Sequence, residues 1–173
     1  MALKEGVRDR LSGTVRFEES HVGEHQANGD AENAVQRIQG QFRTIKYGLE
    51  CRLSKKISGD MKVIPWIVRH AGGVINRYQV GKDGRTPYRR MKGRDFKRDV
   101  TEFGEYVMYM KLESEGRDKG DTRWYEGIFV GIRDESGEIL IGTRKGVVKA
   151  RTFRRFGTAS ERFRTKEIEE LVG

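Results

Sequence analysis

From Ala31 to Leu53 the apolar positions Ala31, Val35, Ile38, Phe42, Ile45, Leu49 and Leu53 recur at spacings of three and four. At about 100° per residue they share one stripe of an α-helix. Asn28 is a suitable N-cap, Asp30 and Glu32 suit the positive end of the helix dipole, and Lys55 and Lys56 suit its negative end. With Gly59 as the left-handed stop, the pattern predicts a helix over about 29–58, whose apolar stripe must pack on something.

Upstream, "ALKEGVRDRL" (2–11) reads as a short helix, and "TVRFEES" (14–20) alternates Val15 and Phe17 with Arg16 and Glu18, as a half-buried strand does. Downstream, "KVIPWIVRHAGGVINRYQV" (62–80) predicts a second helix with Pro65 in its first turn. Its apolar face holds Ile67, Ala71, Val74 and Tyr78. The Gly72-Gly73 pair is costly inside a helix, and close packing on the first helix is the simplest reason for it.

From Phe103 onward the period becomes two. "FGEYVMYMKL", "RWYEGIFVGIRD", "EILIGTR" and "GVVKARTF" are strand candidates rich in Val, Ile, Tyr and Phe, separated by "ESEGRDKGD", "ESG" and "RKG" as hairpin connections. Four to five short antiparallel strands hide their edges by curling into a small barrel. The closing "TASERFRTKEIEELVG" is highly charged and reads as a weakly held helix or tail.

Charge changes this picture from a fold to a partner. Lys and Arg number 35 against 26 Asp and Glu, a formal net charge of +9 that favours a polyanion, nucleic acid before membrane. Residues 81–99, "GKDGRTPYRRMKGRDFKRD", hold eight Lys or Arg against three Asp and read as a basic linker, with a short helix at most. The lone Cys51 forms no internal disulfide and no cysteine-rich zinc site, which points to a reducing intracellular compartment, nuclear or cytoplasmic. No apolar run nears the roughly 18 residues that span a bilayer, and "MALKEGVRDR" is too charged for a signal peptide.

The chemistry is concentrated on the first helix. Glu32, Gln36, Gln39, Arg43 and Lys46 line a polar stripe beside the apolar one, placing a possible metal ligand in line with phosphate-binding cations. Such an arrangement suits phosphodiester chemistry. An acid in a first helical turn is also what the dipole alone favours. "GKDGRTPY" lacks the Lys-Ser/Thr ending of a phosphate-binding loop, and Cys51 reads as an isolated surface thiol.

The run "EESHVGEHQANGDAENAVQRIQGQFRTIK", with its "NG..E" turn opening a long helix, resembles the last segment of the catalytic core of retroviral and LTR-retrotransposon integrases. "PWIVRHAGGVINRYQV", "GRTPYRRMKGR" and the strands from "FGEYVMY" to "VVKARTFRRF" resemble the region beyond that core in retrotransposon Pol polyproteins, so the likeness extends to about Phe156. It implies a ribonuclease-H-like core in which two aspartates and a glutamate hold two Mg²⁺ (or Mn²⁺) ions and cut and join DNA ends. Glu32 corresponds to that glutamate. The second aspartate falls before Met1 and the first farther upstream, and His21, His25 and His70 lack the cysteine pair of the family's zinc domain.

The chain is accordingly expected to be an α+β fragment of a metal-dependent polynucleotidyl transferase. Residues 1–80 would be a partial ribonuclease-H-like core (one strand, about three helices), 81–99 a basic linker, 100–156 a small antiparallel SH3-like barrel and 157–173 a charged tail. One carboxylate cannot hold two metals about 4 Å apart, so the chain alone is expected to need no cofactor and to lack catalysis. Its expected activity is sequence-independent DNA binding through Arg43, Lys46, Arg89, Arg90, Lys92, Arg94, Lys97, Arg98, Lys149, Arg151, Arg154 and Arg155. Other integrase segments or a homo-oligomer are further expected partners. The rival reading is a chromatin-reader-like interaction barrel, with Tyr106, Tyr109, Trp124 and Tyr125 as an aromatic cage; Trp124 and Tyr125 otherwise belong to the core.

Overall fold

The structure is a computed structural model that describes residues 29–98, 100–111 and 122–172. The expected helix at 2–11 and strand at 14–20 lie outside the described residues. The chain divides into two compact units, residues 1–36 and 37–173. Of the first, the described part is the opening of helix α1 (Gly29–Leu53), which carries Asp30 and Glu32 in its first turn.

The second unit is mixed α and β. After α1 come α2 (Ile64–Tyr78), the short α3 (Pro87–Lys92), strands β1 (Tyr106–Lys111), β2 (Trp124–Ile132), β3 (Ile139–Thr143) and β4 (Gly146–Arg155), then α4 (Ala159–Arg162) and α5 (Thr165–Glu169). The four strands pair antiparallel in sequence order and β4 returns to β1, closing a barrel with no free strand edge. Closure is the solution expected for short strands that would otherwise expose unpaired N–H and C=O groups.

The strands are buried on two faces. Phe129, Ile139 and Ile141 point into the barrel with Val107, Tyr109, Ile132 and Ala150. Their neighbours Ile128, Val130 and Leu140 point outward into a second cluster with Leu49, Ile57, Val63, Ile67, Ile168 and Leu171. From Phe42 to Leu53 the helical stripe therefore finds its partner on the outside of the barrel, whereas Ala31, Val35 and Ile38 are exposed. Phe42, Ile45 and Leu53 pack against the same cluster. Burying each large aliphatic side chain contributes about 1.5–3 kcal/mol, against at most about 1 kcal/mol for an exposed ion pair, so apolar contact dominates the docking.

Two details of the helices differ from expectation. Helix α1 ends at Leu53, not near 58, because Ser54 takes the left-handed conformation (φ 51°) and Gly59 does not. Ser54 N–H donates to the Cys51 carbonyl and Lys55 N–H to the Glu50 carbonyl, the paired bonds of a Schellman stop. The early turn lets Ile57 enter the core and its N–H donate to Glu50 Oε1 at 2.9 Å. The Gly72-Gly73 pair does not admit α1. A Cβ on Gly72 would meet nothing, and one on Gly73 would lie 2.7 Å from the Arg77 guanidinium, which folds back across it.

The charged tail is held by the fold: Ile168 and Leu171 are both 2% exposed. Among the described residues no helix is long and apolar enough to cross a membrane.

Candidate nucleic-acid interface

The basic segment folds back on itself. Thr86 Oγ1 accepts from Arg89 N–H at 3.1 Å to start α3, and Gly93 (φ 68°) closes it. The chain then runs past the barrel, where Phe96 packs against the interior cluster. Perpendicular contacts with Tyr78 (6.0 Å) and Tyr88 (5.4 Å), and the Arg77 guanidinium 5.2 Å over its ring, fix Phe96.

Between this segment and the β2–β3 turn lies a cleft of about 530 Å³. Its cationic lining is Arg77, Lys92, Arg94, Lys97, Arg98 and Arg133; its acids are Asp95, Asp134 and Glu135. Each acid already holds an arginine: Asp134 pairs with Arg77 at 2.5 Å, Glu135 with Arg133 at 3.1 Å and Asp95 with Arg89 at 3.6 Å. Arg98 donates to the Gly137 carbonyl. Lys92, Arg94 and Lys97 have no ion-pair or hydrogen-bond partner among the described residues, and Arg98 has no acidic one there, so these four carry the surplus positive charge of the cleft.

The remaining expected DNA contacts are distributed differently. Arg90 forms a two-pronged pair with Asp83 (3.0 and 2.5 Å), which pulls the Asp83 carboxyl well below the usual range and raises Arg90. Lys46 pairs with Glu50 at 3.6 Å, and Lys149 with Glu138 at 3.5 Å. Hydrogen bonding from Ser136, then the charge of Lys149, holds the Glu138 carboxyl below its ordinary value. Arg154 stacks 4.6 Å over Trp124. Arg155 is committed to the buried Glu105. Arg43 and Arg151 are exposed and unpaired among the described residues.

Glu32 is exposed in the first turn of α1. No group of three or more His, Cys, Asp or Glu side chains that could hold a metal occurs among the described residues, so these residues do not by themselves fit a divalent-ion pair.

Arg77 and His70 belong to no motif in the sequence, yet a signal existed: they lie seven apart, two helical turns, on the face that also holds Gly73. Both are buried, at 5% and 8% exposure. Arg77 Nη2 donates to the Ile132 carbonyl at 2.9 Å and so bridges α2 to the barrel. His70 packs against Phe103 and Phe129, and burial, then the charge of Arg77, lowers its pKa to about 4.

The four aromatic residues of the expected cage do not share one opening. A second cleft of about 530 Å³ is lined by Tyr106, Tyr109 and Tyr125, whereas Trp124 is absent from its walls. The chain's own cations cover two of these rings: Lys111 lies 4.6 Å over Tyr125 and Arg164 4.1 Å over Tyr106. Tyr106 also donates to Glu126 at 3.0 Å; burial, then this bond, pushes its hydroxyl up to about 12.

Compared with known proteins, the chain matches no protein-family model, no curated protein and no solved structure.

Proposed function

We propose that this chain binds DNA without sequence preference, as the C-terminal part of a retroelement integrase. In this reading residues 1–80, of which 29–80 are described, belong to a partial ribonuclease-H-like core and the closed barrel is of the SH3-like kind. The observation that carries the DNA-binding reading is the trio Lys92, Arg94 and Lys97, unpaired among the described residues and gathered in one cleft of a chain with net charge +9. Cations without protein partners neutralise phosphates at no cost in broken ion pairs. Glu32 has a catalytic role here only if another segment or a second copy supplies the two aspartates, and no step is assigned to this chain alone. The aromatic-cage alternative is less well supported, since Lys111 and Arg164 already occupy two of the rings.

The test is fluorescence anisotropy with labelled 20-base-pair duplexes of scrambled sequence across a salt series. Three phosphate contacts give a log-log slope of about −3, equal for all sequences. Salt-independent binding, or strong preference for one duplex, would overturn the reading.

A further inference from the structure

We propose that the cleft between α3 and the β2–β3 turn takes an unpaired nucleotide of a single strand, with Tyr88 as the stacking platform and Lys92, Arg94 and Lys97 on the backbone phosphates. The inference rests on the nucleic-acid reading above and adds what that reading leaves open, which form of the polymer enters the cleft.

The first argument is shape. A cleft of about 530 Å³ lies within the size range of pockets that hold single small ligands, whereas a duplex meets a protein over an extended surface. The second is composition. A site for phosphates alone needs only cations, but this one is also lined by the half-buried rings of Tyr88 and Phe96, beside three cations that are unpaired among the described residues. The perpendicular contact with Phe96 at 5.4 Å, itself anchored against the barrel core, sets the plane of the Tyr88 ring before any ligand arrives. A duplex buries its base faces in its own stack. An unpaired base offers that face, and stacking on an aromatic side chain tolerates any base.

The third argument is charge placement. Asp95, Asp134 and Glu135 are each held by an arginine, while Lys92, Arg94 and Lys97 are unpaired among the described residues. Lys92 lies on the same short helix as Tyr88, and Lys97 follows Phe96 directly. The stacking ring and the cations therefore lie on one segment, while Phe96, covered by Arg77 and packed on the barrel, serves to hold Tyr88 in place.

The experiment compares the purified full chain on oligo-thymidine, oligo-uridine, a blunt duplex and a polyphosphate of matched charge. Tight binding of either oligonucleotide relative to polyphosphate supports the inference, and the two arms tell DNA from RNA. Tyr88→Leu should weaken single-strand binding about tenfold and leave duplex binding within about twofold, whereas Tyr88→Phe should keep both. On the unaltered protein, photo-crosslinking with an iodouridine-substituted oligonucleotide should label Tyr88, which serves if Tyr88→Leu fails to fold. Polyphosphate binding as tight as the oligonucleotides, or a crosslink confined to the barrel aromatics, would overturn the inference. Duplex binding that persists beside either result leaves the broader DNA-binding reading standing; loss of all salt-sensitive binding removes both.

Discussion

Arg155, on the last barrel strand, closes a two-pronged pair on Glu105, with Nε 2.7 Å from Oε1 and Nη2 2.8 Å from Oε2, while the carboxylate is 0% exposed. Thr101 Oγ1 donates to the same carboxylate at 2.5 Å, and Arg162 Nε lies 3.8 Å from it. The pair ties the segment before β1 to the end of β4, where the barrel closes. Arg155 is therefore a structural cation in this fold.

Arg155→Ala should destabilise the protein by about 2–3 kcal/mol, below the range for a fully buried pair because the Arg155 side chain is 43% exposed. Arg155→Lys should recover only part of this, since an ammonium cannot reproduce the fork geometry. Urea denaturation at pH 7 measures both. A loss below about 0.5 kcal/mol for the alanine variant would show that water replaces the guanidinium.

Stability should fall with acid in a window set by His70. The unfolded chain takes up a proton near pH 6.5, whereas folded His70 does so only near about 4. Between these values the unfolded state binds more protons, so stability declines as pH drops from about 6.5 to about 4, by up to about 3 kcal/mol, with no further loss from this group below that. The difference between unmodified protein and His70→Leu, followed by urea denaturation across this range, isolates the contribution. Parallel pH curves for the two would show that His70 charges freely in the fold.

Free and tied cations should separate on DNA. Lys92→Ala, Arg94→Ala and Lys97→Ala should each reduce the salt slope by about 0.9. Arg90→Ala, whose side chain is engaged by Asp83, should change it much less. Equal effects from all four would mean that net charge, not the cleft, governs binding.

Ser54→Gly should stabilise the protein by about 1 kcal/mol, because the left-handed conformation at φ 51° is costly for a side chain and free for glycine. Gly59→Ala should be neutral or slightly stabilising, since that glycine is not left-handed and an added Cβ meets nothing within 4 Å. Thermal melts decide between this and the sequence expectation, in which Gly59 is the helix stop and its replacement costs stability.

Much of the fold was legible from pattern. The four strands start and end within about three residues of the sequence expectation, because β-branched and aromatic runs bounded by Gly, Ser and charged turns have few other uses. Helix α2 opens at Ile64 with Pro65 in its first turn, as expected. A further clue was present in "GIFVGI" and "ILIG": contiguous apolar residues mark strands covered on both faces, whereas "VVKARTFRR" breaks its apolar residues with polar and charged ones and leaves many of its side chains exposed. Those runs already required something to lie over the barrel. Of the candidate site, the basic segment was visible as a charge run, but not which of its cations would be free.

The sequence by itself determined most of the local elements and the excess of positive charge, since periodicity, turn chemistry and ionisation are set by residues near one another in the chain; the pairing of β4 with β1 that closes the barrel joins residues as far apart in the chain as Val107 and Arg155. Tertiary structure decided what each element faces. The part of the α1 stripe from Phe42 to Leu53 covers the barrel because Ile128, Val130 and Leu140 present an apolar outer surface that must also leave water. It decided that Ser54, not Gly59, ends the helix, because Ile57 reaches the core only if the chain turns there. It also sorted cations of the same charge into different roles. Arg155 meets Glu105 across 50 residues of sequence, while Lys97 meets no carboxylate among the described residues; ion pairing depends on distances of a few ångströms in space, which sequence spacing does not encode.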